Sequence, residues 1–494
     1  MTKTYIPDLV STQWLLPGIF NKFDASGAIR GLRGMPRSLA LFGQITNPLF
    51  NPTNFNQPIT VTIEAEAIGL FGEGSMLLAM WRGAKANATL GLKITCIALA
   101  DEPTANTAQW LLAFSADATH LAGEQPVYIE GQRLAVGVNE LDTATTIRDK
   151  MLAKLLANPK LPLTAAPSGT DAITLTAKNK GERANDIDIR ATYFYDDTPI
   201  QGVNMVISQS ASGALNPDLS AAIVNLRNTR DTHWVVPYLD SANVVLIEAE
   251  ATRRWSHEVQ TDFQFSTAIR GTEGKINAWL LPRNNLCGHT LCTTKDLTSP
   301  WAAAAMAGAA IESQCMKDPA APFTGIALTG YIPALRTEHF EDEQINNLML
   351  AGGSSVDVLE DGTATMLPVV TNYTTHKTGA YDESYRYMNW VKTLSYFRWY
   401  RNTEFAIQTE GFKMGEYADD IPGQKIMTNS KGADIALHCY ENFVDAGLMQ
   451  NMAHYTKTLL TQITGTKFKI VDEPVIMLQH NQTEITSKWV AGHV

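Results

Sequence analysis

The chain has 494 residues, of which 45% are hydrophobic and 18% charged, and a formal net charge of −11 at pH 7. That length is too great for one small core, so about two to four domains are expected. The acidic balance excludes a protein that wraps nucleic acid, which needs clustered cations. The first ten residues lack an apolar core, and the longest apolar run, Trp301 to Ile311, covers 11 residues. A membrane span needs roughly 20, so a soluble protein made in a cytoplasm, without membrane insertion, is expected. Cys96, Cys287, Cys292, Cys315 and Cys439 are odd in number and scattered, as reduced core thiols would be.

In chain order, the first 20 residues read as an arm. Tyr5-Ile-Pro-Asp-Leu-Val10 is too short and too proline-interrupted to fold alone, but it could add to a neighbour's sheet edge. Between Pro17 and Gln44, Gly18, Gly27, Gly31 and Gly34 with Pro17 and Pro36 exclude a stable helix. Ser38 to Phe42 then predicts a buried first strand. Residues 59–63 predict a strand, Gly69 to Gly74 a loop, and Ser75 the N-cap of a helix through Trp81. From 91 to 210 the texture turns strand-rich, with strands expected at 92–99, 110–115, 127–129, 133–138, 172–177 and 186–195. One helix interrupts them, Thr145 to Leu156. Such a stretch between α/β segments reads as an inserted β or α+β domain.

Alternation resumes after Pro217. Helices are expected at 218–228, 241–255 and 299–315, and strands at 233–238 and 275–281, which implies a mostly parallel sheet covered by helices. Residues 337–376 carry seven acidic side chains and no Lys or Arg. Helices near 381–400 and 431–463 predict a further compact unit. Val475 to Gln479 and then 483–491 alternate loosely, as a strand-forming arm would.

Reactive chemistry finds little support. Gly69-Leu-Phe-Gly-Glu-Gly74 lacks both the dinucleotide spacing and the Gly-Lys-Ser/Thr of a P-loop, leaving a capped helix start. Cys287-Gly-His289-Thr-Leu-Cys292 has no second ligand pair among His257, Cys315 and His339, so it reads as a loop between strand and helix. Asp240-Ser241, His257 and Ser266 could serve a hydrolase, but no G-x-S-x-G elbow places a nucleophile beside a base. The acidic run matches no EF-hand, and Glu341-Asp-Glu343 reads as the first turn of a helix. In the aromatic run from Tyr385 to Tyr400, Tyr387, Trp390, Val391, Leu394 and Phe397 share an apolar face. Arg386, Lys392, Arg398 and Arg401 spread around the helix, so a core helix is expected over a base-stacking platform. No catalytic, cofactor-binding or metal-binding residue is assigned.

Several segments, in order, resemble contractile phage tail sheath proteins of the Mu-like type. The opening "FD…A.RG…MP" stretch before the first strand is one. Others are Phe71 to Met80, the Ile269-Arg-Gly-Thr-Glu-Gly274 turn, Phe323 to Gly330 and Leu348 to Gly362. Tyr373, Gly379, Asp382 and Tyr385 follow, and Glu473 to Gln479 is similar to the end of such sheaths. Residues 91–210 carry no matching signature. The core of that family has been described as subtilisin-like, but Gly271-Thr272 is followed by Glu273, so the nucleophile turn is missing.

The resemblance implies an α/β and α+β multidomain protein: a helix-covered, mostly parallel core sheet, an inserted β-rich domain, a C-terminal α+β domain and extended arms. Its expected parts are an N-terminal arm (1–20), a discontinuous core (21–90 with 211–370), an outer insert (91–210), a tube-proximal domain (371–474) and a C-terminal arm (475–494). Tyr5, Ile6, Leu9, Val475, Ile476, Met477, Leu478 and Gln479 would be inter-subunit arm strands, with Gly18, Gly27, Gly31 and Gly34 in the arm linker. The expected product is a virion tail sheath assembled in the host cytoplasm as stacked hexameric rings. It would contract around a tail tube to drive that tube through the host envelope, with baseplate and tail terminator proteins as further partners and no direct nucleic acid contact. A phage-like injection device fits equally. The alternative from another class is a soluble α/β hydrolase or nucleotide-binding enzyme.

Overall fold

A computed structural model describes residues 32–194, 196–415 and 424–486. Tyr5, Ile6, Leu9, Gly18, Gly27 and Gly31 lie outside them. The described chain forms two compact units, one of residues 35–410 with the segment from 475 onward, the other of residues 411–474.

The larger unit starts with β1 (Ser38–Gln44), buried along its whole length as its apolar run predicts. Next come β2 (Pro58–Thr60), α1 (Glu64–Phe71), α2 (Met76–Asn87) and β3 (Lys93–Leu99). The Ser75 hydroxyl caps α2 by accepting from Leu78 N at 3.3 Å. Then follow β4 (Gln109–Ala116), β5 (Gly123–Ile129), β6 (Gln132–Val138), α3 (Ala144–Leu156), β7 (Leu163–Ser168), β8 (Ala172–Ala177), β9 (Ile189–Arg190) and β10 (Val203–Ala211). The run 186–195, read as a strand, forms only the two residues of β9. Asp186 ends a short 3-10 turn, and the Asp197 carboxylate accepts from the amides of Tyr193 and Phe194.

The chain continues through α4 (Ser220–Asn225), β11 (His233–Val235), α5 (Ser241–Trp255), β12 (Gln264–Arg270), α6 (Glu273–Leu280), β13 (Gly288–Thr293) and α7 (Pro300–Lys317). Residues 275–281 are therefore helical, not a strand. Thr272 caps them, its hydroxyl accepting from Lys275 N, and Ile276 and Leu280 are the buried pair four residues apart. The stretch from Gly288 through Cys292 lies in the buried strand β13 rather than in a loop, with Cys287 just ahead of it. After α7 come α8 (Asp342–Leu350), begun by the Glu341–Gln344 capping box, then β14 (Val356–Val358), β15 (Ala364–Met366) and α9 (Met388–Thr409).

Six strands form the core sheet in the order β13-β12-β11-β1-β3-β2, parallel except for β2 on β3. The β-strands between β3 and α4 build two antiparallel sheets, β10-β4-β8-β7 and β6-β5-β9. All but three of the 18 residues of α7 are buried, and seven are alanines. That composition lets α2 approach closely: a Cβ on Gly83 of α2 would lie 3.2 Å from the Ala302 carbonyl oxygen.

The smaller unit has β16 (Lys413–Met414), β17 (Ile426–Met427), α10 (Asn429–Asp445), β18 (Met449–Gln450), α11 (Met452–Thr458), β19 (Leu460–Thr464) and β20 (Lys467–Val471). The single helix expected over 431–463 is thus two helices and the first strand of a hairpin. Gly447 at φ +71° follows the end of α10, and Asn451 caps α11 from a left-handed backbone. Tyr440 and Tyr455 stack with centroids 3.7 Å apart, tying the two helices together. Phe468 lies against Gly432, where any Cβ would collide with its ring, so the inner face of the hairpin sits directly on α10. The last strand, β21, is Val475–Ile476.

Candidate functional site

Of the residues expected in the arms and linker, Gly34 is exposed, with open space where a Cβ would stand. Val475 and Ile476 are half-buried in β21, whereas Met477, Leu478 and Gln479 follow it outside any strand. Leu478 is 70% and Ile485 81% exposed, so the tail carries apolar side chains into solvent. Asn481 anchors it by donating to the Tyr387 hydroxyl at 2.7 Å. Exposed leucine and isoleucine on an extended segment are what a strand that docks on another surface would present.

The densest polar arrangement lies inside the core sheet. Adjacent parallel strands place His233 of β11 beside Gln264 of β12, and Ser266 of β12 beside His289 of β13. His233, Ser266, His289, Glu312 of α7 and Lys392 of α9 are all fully buried. Lys392 Nζ bonds the Glu312 carboxylate, donates to Thr232 O at 2.9 Å and reaches His233 Nδ1 at 3.2 Å. The Thr232 hydroxyl donates to Glu312 at 2.8 Å, and Arg37 stands 3.8 Å from the same carboxylate. Burial raises the affinity of Glu312 for a proton, but the ammonium of Lys392 outweighs it and holds the carboxyl well below its ordinary range. Burial, with Lys392 beside it, pushes His233 down to about 4, and burial with His233 nearby pushes His289 down to about 3.

Hydrogen-bond polarity then fixes the tautomers. With Lys392 donating to His233 Nδ1, the ring proton sits on Nε2 and is donated to Ser266 Oγ at 2.7 Å. Ser266 in turn donates to His289 Nδ1 at 2.8 Å, and His289 Nε2 is buried without a partner. A serine hydrolase needs the reverse sense, with an imidazole nitrogen free to take the serine proton and the opposite N–H held by a carboxylate. Here Glu312 lies 3.6 Å from His233 Nδ1, and Lys392 fills that position as donor. The cluster therefore joins three strands and two helices and is sealed from any substrate.

The other chemical candidates disperse. His257 is exposed, far from the interior position of Ser266, and Asp240 caps α5 through Asn243 N at 3.1 Å. Cys287 and His289 share one face of their strand, whereas Cys292 points to the other and packs with Ile276, Leu280 and Leu348. All five cysteines are buried, and none forms a disulfide among the described residues. On α9 the buried set is Met388, Val391, Lys392, Tyr396, Phe397 and Tyr400 with small polar residues. Lys392, expected among cations spread around that helix, is instead its most deeply buried charge. Arg398 binds Asp262 at 2.8 Å and stacks on Trp255. No metal-holding group of His, Cys, Asp and Glu occurs among the described residues.

The cluster was missed in the sequence because its members lie 23 to 159 residues apart. Its trace is a set of polar side chains within three otherwise apolar strands, His233 in HWV, Ser266 and Thr267 in FSTA, and His289 and Thr290 in GHTL.

No family model matches the chain. It is 26% identical over 449 residues to the Mu-like prophage FluMu tail sheath protein of Haemophilus influenzae, covering 90% of this chain and 91% of that one. It also shares a fold with the crystal structure of a sheath tail protein from Listeria innocua. There the TM-score is 0.50 at 10% identity, over 92% of this chain and 94% of that one.

Proposed function

We infer that this chain is the structural subunit of a contractile tail sheath of the Mu-like type. The observation that carries the reading is the near end-to-end alignment with a Mu-like tail sheath protein. The product is mechanical work by an assembly. A structural rather than enzymatic role agrees with the buried Ser266, whose proton faces a histidine that no substrate can reach.

In the assembled state, Tyr5 to Leu9 and Val475 to Gln479 would pair with strands of neighbouring subunits. Each added main-chain hydrogen bond is worth only about 1 kcal/mol net. Many arms acting together would still hold a lattice while rigid bodies rotate within it. The exposed apolar tail after β21 supports this assignment. Residues 91–210 would form the outer layer and 371–474 the layer nearest a tail tube. Stacked hexameric rings, a baseplate and a terminator would complete the tail, a part of the virion assembled in the host cytoplasm.

Negative-stain microscopy of the purified protein tests the reading. Hollow tubes or rings are expected, and a monodisperse monomer under all assembly conditions would overturn it. Charge reversal on the exposed face of α10, at Asp434 or Glu441, should weaken co-assembly with the tube protein.

A further inference from the structure

The two strands β19 and β20 present their outer face to solvent. Leu460 pairs with Val471, Gln462 with Lys469 and Thr464 with Lys467 across the ladder, and all six side chains are exposed. Leu460 is 65% and Val471 63% exposed. The face is thus apolar at one end and basic at the other, with the two ends about 13 Å apart at the usual strand rise. Neither lysine has an ion-pair partner among the described residues.

The larger unit carries a surface of opposite character. A groove of about 610 Å³ is walled by the β14–β15 hairpin turn on one side and by residues 333–341 on the other. Phe194, Leu335 and Leu359 line it while 59%, 37% and 47% exposed. Asp357, Glu360 and Glu341 stand with them against a single cation, Arg336, and none of the three forms an ion pair among the described residues. The turn is held rigid by Leu359 N donating to Thr363 O, and Thr363 N to Asp361.

We propose that the outer face of β19–β20 of one copy docks in this acidic, apolar-floored groove of a second copy, Lys467 and Lys469 against Asp357 and Glu360, Leu460 and Val471 against Phe194 and Leu359. Charge complementarity selects the occupant, since the groove and the hairpin face join the same two chemistries with opposite sign. A ten-residue hairpin face buries far less than the roughly 800 Å² per partner of a stable pair. The contact therefore holds only where an array repeats it, and it rests on the sheath reading.

Mixing two variants tests it, one bearing Lys469→Cys and the other Glu360→Cys, treated with a short bismaleimide after assembly. The five native cysteines are buried and leave the reagent to the introduced thiols. A cross-linked dimer is expected only from the mixture, falling about tenfold when Asp357→Lys is added to the second variant. Tubes that form without this dimer overturn the proposal while leaving the sheath reading intact. A Glu360→Cys thiol shielded in tubes yet never joined to Lys469→Cys assigns the groove to another occupant and also overturns it. Wild-type protein that never polymerises overturns both.

Discussion

Replacing Lys392 with methionine keeps the length of the side chain and deletes its charge and donors. Glu312 then loses its ammonium partner while still fully buried, keeping the Thr232 hydroxyl at 2.8 Å, His233 Nδ1 at 3.6 Å and Arg37 at 3.8 Å. Breaking a buried pair from one side costs about 3–5 kcal/mol, and the three remaining partners place this case near 3. With roughly 400 residues in the larger unit, an unfolding entropy near 2.1 cal/mol/K per residue converts that range to a melting shift of about 4–6 °C. Scanning calorimetry of the unassembled protein reads it directly. The double variant Glu312→Leu with Lys392→Met should recover at least half of the loss, because no uncompensated charge remains. A single variant melting within 1 °C of wild type, or a double variant whose loss equals the sum of the two singles, would refute the ion pair as the core's linchpin.

Acid should destabilise the larger unit from about pH 6.5 downward. His233 and His289, with native values pushed to about 4 and about 3, stay neutral in the fold and gain protons on unfolding. Each contributes a loss of up to about 1.4 kcal/mol per pH unit below its unfolded value. Glu130, raised by burial to about 7, opposes this between pH 7 and 4.5, as do Asp101, Glu248 and Asp262, which burial also raises, so the two histidines must outweigh them. Glu312 adds its own loss only below about pH 4.5, and a melting temperature that rises from pH 6.5 to 5 would contradict this sign. Gly432→Val should dislodge Phe468 and cost about 1–3 kcal/mol, seen as early proteolysis at 460–471 with residues 35–410 intact; an unchanged digest would contradict the packing. Ser266 should resist a fluorophosphonate probe in native protein, and labelling there would overturn the assigned proton order. Deleting 475–494 should leave a folded monomer that no longer polymerises, and intact tubes from that truncation would sink the arm assignment.

Elements with a strong local signature were legible. β1 is an unbroken apolar run, and α5 begins where Asp240 caps it. The stretch after Thr272 misled because Lys-Ile-Asn-Ala-Trp-Leu fits either period, and only its packing against α8 makes it a helix. β13 misled for the opposite reason. Its Gly, His, Thr and Cys read as a loop, yet burial on both faces makes it a strand in which His289 Nδ1 meets Ser266 and the Thr290 hydroxyl meets Asn372. Lys392 was misread because helical periodicity assigns cations to solvent, whereas Glu312 supplies an interior counter-charge 80 residues away. The arms read from their own residues only as short strand-forming segments, and their pairing with another copy rested on the resemblance, since strand addition leaves no partner within one chain to be read.

The alanines of α7 bear on how such a body transmits load. Alanine has no side-chain torsion to exchange, and α2 lies against this ridge at backbone contact distance. A stress carried along the alanines finds few side-chain torsions to exchange before it reaches the other end. The helix behaves as a strut of low compliance, so the elastic give of the larger unit is left to its turns and its tail.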